Sequence, residues 1–144
     1  MTMGRPTKEK GLHQLNYNPS AVVTVSGAAA LDCSRSSSTA FTIDPNFISY
    51  THVPLQISAV VRAISPNEHP GFNLKYEAAS GRKGIGWNFV PGAARWYTLT
   101  WTLDDDEFVG SWGYHFSFDS DSTSHSQYYL QRVTVTKLVP PGPR

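Results

Sequence analysis

The chain has 144 residues, of which only 16% are charged, and its formal net charge is +1. That length predicts a single domain with its own hydrophobic core. A charge balance this even argues against nucleic acid or an anionic membrane as partner, since both require a basic surface. No apolar run reaches the about 20 residues that cross a bilayer, and residues 1–11 lack the apolar stretch of a signal peptide.

The two ends and the single cysteine set the expected domain limits. Residues 1–15 read as an expression-derived or linker segment, residues 16–138 as a folded domain and residues 139–144 as a Pro-rich tail. Because the ends read as added sequence, the missing signal peptide does not bear on where the parent protein works. Cys33 is the only cysteine, so an internal disulfide is excluded, and we expect a partly buried structural thiol.

Short strand-like runs, separated by turn residues, follow one another along the whole domain. The predicted strands cover residues 21–25, 40–43, 55–64, 72–78, 84–90, 96–103, 112–119 and 127–137. A Ser/Thr-rich turn is predicted at residues 34–39. No helical period extends over three turns, and the connections are too short for crossover helices. We therefore predict an all-β fold, a single antiparallel β-sandwich of jelly-roll type, with a small barrel as the alternative.

Four tryptophans lie within 26 residues, and the alternation of each strand sorts them differently. Trp101 shares a face with Leu99 and Leu103 and is predicted to be core. Trp96 falls on the opposite face, among threonines, and is the strongest candidate for a platform under a sugar ring. The alternative is a loop packed over it.

The sequence does not decide whether the side chains of Trp87 and Trp112 point into the core or outward. Trp87 shares a face with Ile85 and Phe89, which indicates core, unless the flanking glycines shift the register and turn it outward. Trp112 is the first residue of a predicted strand, directly after Gly110 and Ser111. It either joins the core or projects from the edge of the sandwich toward a ligand.

The remaining binding candidates are polar side chains predicted to lie on an open sheet face beside these indoles. They are Asn73, Lys75, Asn88, Thr98, His115, Tyr128 and Gln131. Amides, hydroxyls and charged groups bind sugar hydroxyls in the plane of the ring, while its C–H faces stack on aromatic side chains. An ordinary solvated sheet face is the alternative interpretation.

Two acidic segments bear on metal binding and catalysis. Asp119 and Asp121 alternate like the opening of a calcium loop, which predicts a structural calcium, although the central glycine and closing glutamate of an EF-hand are missing. The four consecutive acids at residues 104–107 cannot flank one glycosidic bond, so a solvated turn is expected there. No cofactor or catalytic set is recognised, which favours a binding protein over an enzyme.

Residues 71–77, 96–101, 108–116 and 129–137 together resemble the C-terminal half of β-sandwich carbohydrate-binding modules. The likeness is to the β-glucan- and xyloglucan-binding modules beside bacterial endoglucanases, such as carbohydrate-binding module family 81. It implies a non-catalytic, monomeric, extracellular module that binds β-1,4-glucan, mixed-linkage glucan or xyloglucan and targets a covalently linked glycoside hydrolase. The alternatives are a small jelly-roll polysaccharide hydrolase or lyase, and a protein-interaction sandwich.

Overall fold

The protein is an all-β sandwich of two antiparallel five-stranded sheets. The computed structural model describes residues 1–4, 12–14, 21–43, 54–65, 69–92, 94–108 and 113–138. Within these residues there are ten strands: β1 (Leu12–Gln14), β2 (Val22–Val25), β3 (Ala28–Asp32), β4 (Ser38–Ile43), β5 (Leu55–Ala63), β6 (Gly71–Ala78), β7 (Gly81–Phe89), β8 (Tyr97–Leu103), β9 (Phe116–Asp119) and β10 (Tyr128–Lys137). The predicted fold class is confirmed.

The strands divide between the sheets in an order that mixes sequence neighbours. Sheet A has the order β2-β3-β10-β5-β8, and sheet B has the order β1-β4-β9-β6-β7. A short 3₁₀ helix, Cys33–Arg35, joins β3 to β4 across the two sheets. Among the described residues there is no long apolar helix of the kind that spans a bilayer.

The core lies between the sheets and follows the period-two pattern of the sequence. In β5 every second residue, from Leu55 to Ala63, is buried, and Trp101 and Leu103 of the neighbouring β8 point the same way. Sheet B supplies an aromatic layer opposite them: Phe41, Phe72, Tyr76, Phe116 and Phe118. Strand alternation in the sequence places these side chains of β5, β6 and β8 on the inward side, and the structure confirms it.

Two segments near the N-terminus contain structure that the sequence did not indicate. Met1 and Met3, predicted to lie in a linker, are buried core residues, and their backbone pairs with β10 at Gln131 and Val133. Leu12–Gln14, in the same predicted linker, forms β1 at the edge of sheet B. Ala28–Asp32, predicted to be loop, forms β3. Small alanines gave it little strand signal, although Ala30 and Leu31 are buried.

β10 contains an irregularity that invalidates one parity assignment. Tyr128 was predicted to face outward, but it is only 1% exposed and its ring lies 5.3 Å from that of Phe72. The pairing with β5 shifts between Leu130 and Arg132, so the residues before and after the shift alternate in opposite phase. Val133 is inward as predicted, and Tyr128 and Leu130 are inward as well. Tyr128 is a core residue and leaves the candidate site.

β7 contains a second irregularity, and it decides the orientation of Trp87. Asn73 pairs with Trp87 but Lys75 pairs with Gly84, so β7 carries one extra residue opposite β6. Gly86 has a φ of +103°, a backbone conformation that residues other than glycine rarely adopt. Trp87 shares the outward side of the sheet with its partner Asn73. The interpretation in which the glycines turn Trp87 outward is confirmed.

Candidate functional site

The outward side chains of β4, β9, β6 and β7 form a continuous surface that we call the sheet B face. Its register aligns Trp87, Asn73, Asp119 and Ser38 in one row across four strands. The next row contains Gly84, Lys75, Ser117 and Ala40. Three predicted site residues, Trp87, Asn73 and Lys75, are thus brought together, although they come from two strands.

Trp87 forms an aromatic surface at one end of the sheet B face. Its indole lies directly over Gly71, where a Cβ atom would come within 2.5 Å of the Trp87 Nε1 atom. Phe89 meets it edge-on at 6.3 Å and is 66% exposed, and the His125 ring meets it edge-on at 5.5 Å. Glycine at position 71 is needed because any side chain would displace the indole. Two aromatic rings therefore border an open surface.

Polar groups continue this surface across the sheet. The Asn73 side chain is held by Gly86, whose backbone N–H donates to Asn73 Oδ1 at 3.2 Å. Lys75 Nζ donates to Asp119 Oδ2 at 2.9 Å, and both side chains are partly exposed. Burial raises the pKa of Asp119, but hydrogen bonds from Lys75 and from the Asp121 backbone outweigh burial and keep the pKa below its usual value. The ion pair presents donors and acceptors to a polar ligand.

Two outward side chains in the middle of the sheet B face are buried. Ser117 points outward in the register, yet it is 1% exposed, and its Oγ has no hydrogen-bond partner among the described residues. Glu77, also outward, is 3% exposed. Segments beside β6 cover it, because Glu107 N–H donates to the Glu77 carbonyl and Glu77 N–H donates to the His115 carbonyl, both at 3.0 Å.

His115, a predicted ligand contact, has a structural role in this arrangement. Its Nδ1 accepts a hydrogen bond from the Ile43 backbone N–H at 2.8 Å, and its ring stacks on Phe108 at 5.2 Å. Burial lowers the pKa of His115, and the neighbouring Glu77 carboxylate opposes part of that shift. An imidazole that accepts at Nδ1 must be neutral there, so this side chain stabilises the end of β4.

Trp96 and Thr98 lie on the opposite side of the molecule. They belong to what we call the sheet A face, the outward side chains of β10, β5 and β8. Thr98 is exposed, whereas Trp96 is half-buried and the Arg62 guanidinium lies over its ring, 5.8 Å from the centroid. The single polar face expected from the sequence is therefore two faces, separated by the core.

The other predicted site residues fall outside both clusters. Asn88 pairs with Phe72, so it points to the core side of the edge strand β7, and the prediction that it faces outward with the ligand candidates is wrong. Gln131 is half-buried within the β10 irregularity. Trp112 lies outside the described residues. Phe89 and Gly71 were not among the predicted site residues. The outward position of Phe89 follows once the glycines of β7 are taken as a bulge, whereas the contact of Gly71 with the indole is visible only in the structure.

Two of the carboxylates that the sequence offers for metal binding or catalysis, Asp119 and Asp105, accept hydrogen bonds from protein groups. Asp119 Oδ1 accepts from the Asp121 backbone N–H at 3.1 Å, and Asp121 itself is exposed. Within the described residues, no three His, Cys, Asp or Glu side chains gather into a metal site. Asp105 accepts from the Lys83 ammonium at 2.6 Å and from the Tyr76 hydroxyl, and these bonds lower its pKa. A carboxylate held this way is poorly suited to act as a general acid.

Comparison with known proteins supports the fold but names no family. No family model matches the chain, and no curated protein matches it either. Among solved structures, a similar one is the CBM22-1 xylan-binding domain of Xyn10C from Paenibacillus barcinonensis. The TM-score is 0.50 at 11% sequence identity, over 92% of this chain and 88% of that domain. At this identity the structural likeness shows a shared β-sandwich fold alone. The function has to be argued from the site.

Proposed function

We propose that this protein is a non-catalytic carbohydrate-binding module whose sheet B face binds one polysaccharide chain. The observation that carries the proposal is the outward Trp87 with the exposed Phe89, next to the Asn73 amide and the Lys75–Asp119 ion pair. Large exposed aromatic side chains mark interaction sites on soluble domains. Flat C–H faces of pyranose rings fit such rings, and their hydroxyls fit the adjacent polar row.

The proposed ligand is a β-linked, neutral plant polysaccharide. The sequence resemblance favours β-1,4-glucan, mixed-linkage glucan or xyloglucan, and the solved structure of similar fold is described as xylan-binding. A neutral chain suits the part of this face next to Trp87, because Lys75 is paired there with Asp119.

A linked enzyme completes the proposal. We propose that the parent protein is extracellular and carries a glycoside hydrolase on the same chain, with this domain acting as a monomer. Tethering raises the local concentration of the enzyme at its substrate, so affinities in the micromolar range suffice. A structural calcium at Asp119 and Asp121 stays a prediction, and an unchanged melting temperature after chelation would remove it.

Affinity electrophoresis against xyloglucan, mixed-linkage glucan, xylan, mannan and pectin tests the function. We expect retardation by at least one β-glucan or xylan, and loss of about tenfold or more in affinity for Trp87→Ala, as for a central aromatic contact. Trp96→Ala is the matched control on the opposite face and should bind the neutral polysaccharides of this panel as the wild type does. Retardation by no polysaccharide would overturn the proposal.

One observation favours a second candidate function, a protein-interaction sandwich. Ile85 and Phe89 are exposed apolar side chains on the edge strand β7, and unpaired edges attract other strands. Sedimentation that shows a stable oligomer, dissociated by Phe89→Ser, would support this function. A monomer that binds polysaccharide through Trp87 would exclude it.

A further inference from the structure

A guanidinium group is fixed in place on the sheet A face, far from the proposed glycan site. Asp32, Tyr129 and Arg62 occupy one row across β3, β10 and β5, and Trp96 continues this row beyond the start of β8. The Arg62 guanidinium lies over the Trp96 ring, and its Nη1 donates to Ser26 Oγ at 2.8 Å. Stacking and the hydrogen bond together hold the long arginine side chain in one orientation.

Within the described residues, most of the hydrogen-bonding capacity of this guanidinium is open. Arginine has five N–H donors in a planar fork, and Ser26 uses one of them. In the part of the chain that the structure describes, Arg62 has no carboxylate partner. A preorganised fork with free donors is the arrangement that binds carboxylates in a bidentate manner.

The charges around Arg62 have the same sign. Arg132 pairs with Val60 and is therefore the diagonal neighbour of Arg62 across β10 and β5. The outward residues described on these strands include no carboxylate: Gln56, Ser58, Val60, Arg62, Trp96, Thr98, Thr100, Thr102, Tyr129, Arg132, Thr134 and Thr136. Like charges at this spacing oppose each other, and a bound anion would remove the repulsion.

Among the described residues, the acidic groups nearest to Arg62 are directed elsewhere. Asp32 stands in the same row, but its Oδ1 accepts from the Ser34 backbone N–H at 3.0 Å and its Oδ2 lies 3.9 Å from Arg35 Nε. Asp104 follows the far end of β8, about 27 Å from Trp96 at about 3.4 Å per residue. The end of the sheet A face that holds Arg62 is therefore electropositive.

We propose that Arg62, Arg132 and Trp96 form a second binding site, for the carboxylate of an acidic polysaccharide. The Arg62 fork binds the carboxylate of a uronic acid unit, and Arg132 contributes a second positive charge. The exposed hydroxyls of Ser58, Thr98 and Thr100, which lie on the same face, bind hydroxyls of the adjoining units. Two guanidinium groups fit a chain with spaced carboxylates better than nucleic acid, whose binding requires many phosphate contacts.

Titration of the full chain with polygalacturonate, and with the same polymer after complete methyl esterification, tests the site. We expect binding of the acid form only, weakened by salt. Arg62→Gln should reduce the affinity about tenfold, the effect of losing hydrogen bonds to a charged group. Arg62→Lys keeps the charge but not the fork and should lose most of the same affinity.

Arg95→Gln is the matched control, since Arg95 stacks on Tyr97 and donates from Nε to the Tyr97 hydroxyl at 2.9 Å. It removes one positive charge nearby and should not change the affinity. Equal binding of the esterified polymer, equal losses in Arg95→Gln and Arg62→Gln, or tighter Arg62-dependent binding of an oligonucleotide would each overturn the proposal. The result is separate from the neutral-glycan test, because Arg62→Gln should leave any binding at Trp87 unchanged.

Discussion

The two outer faces of the sandwich are built from the same kind of strand but present different surfaces. On the sheet A face, Thr98, Thr100 and Thr102 of β8 are all exposed, and the arginines carry the described charge. On the sheet B face, Ser117 and Glu77 point outward and yet are buried. A side chain that points outward from its strand is therefore not necessarily exposed, because segments beside the sheet can cover it.

That difference separates two proposed ligand chemistries. The sheet B face combines aromatic rings with paired charges, which suits a neutral glycan. The sheet A face combines a fixed guanidinium with rows of hydroxyls, which suits an acidic one. Variants on the two faces and in the core between them can test the comparison, and the following predictions run from the largest expected effect to the smallest.

Trp101→Ala should have the largest effect, a loss of about 3–5 kcal/mol in the free energy of unfolding. Trp101 is buried beneath sheet A, with its ring 5.7 Å from Phe72 and 5.8 Å from Phe118. Urea denaturation followed by circular dichroism measures the loss. Trp96→Ala, on the outer side of the same sheet, should cost no more than about 1 kcal/mol. Equal losses would contradict the assignment of the two tryptophans to opposite faces.

Gly71→Ala should destabilise the protein by about 1–3 kcal/mol, the usual cost of overpacking, and should also displace the Trp87 indole. The new Cβ would lie 2.5 Å from Trp87 Nε1 and 2.7 Å from the Asn88 carbonyl oxygen. Denaturation and tryptophan fluorescence report the two effects. Gly84→Ala is the control, since its Cβ would meet only the end of the Asn73 side chain, at 2.8 Å. A larger loss at position 84 would contradict this packing.

His115 should make stability depend on pH near neutrality. Its pKa is lowered from 6.5 in the folded protein, so the unfolded chain binds more protons as the pH falls. The contribution of His115 to the free energy of unfolding is complete above pH 6.5. It is lost as the pH falls through the lowered pKa of the folded state. Denaturation between about pH 5 and pH 8 measures it. His115→Asn keeps an acceptor but does not titrate, so its curve should be flatter; an unchanged slope would assign the effect to another group.

The Lys75–Asp119 pair should contribute the least, about 0.2–1 kcal/mol of coupling, because both groups are partly exposed. A double-mutant cycle with Lys75→Met and Asp119→Asn measures it. The pKa of Asp119 is lowered from 3.8, so the coupling should persist above pH 3.8 and disappear as the pH falls through the lowered value. The looser Arg35–Asp32 contact, at 3.9 Å, is the control and should couple more weakly. The reverse order would contradict the pairing described here.

Much of the sandwich was predictable where one side of a strand meets the core and the other meets solvent. β5 alternates without interruption, and its buried residues are the ones that the pattern predicts. In β6 the apolar Phe72, Leu74 and Tyr76 are buried as the pattern predicts, but the outward Glu77 is buried as well. Strand alternation gives the wrong facing where a single residue breaks the period, as at Tyr128, which a bulge in β10 turns inward. For Trp87 it left both orientations open, and the bulge that the glycines around Ile85 permit turns this side chain outward. Strand alternation also missed β3, whose alanines carry little strand preference.

The sequence by itself determined the fold class and the inward side of most strands, because apolar residues must leave water whichever strands they meet. Only the tertiary structure decided which sheet each strand joined. Asn73 and Thr98 share outward positions in their strands, but β6 belongs to sheet B and β8 to sheet A, so they lie on opposite faces. The alternation of apolar and polar residues shows which side of a strand faces the core. Strand pairing, in contrast, depends on contacts between residues distant in the chain.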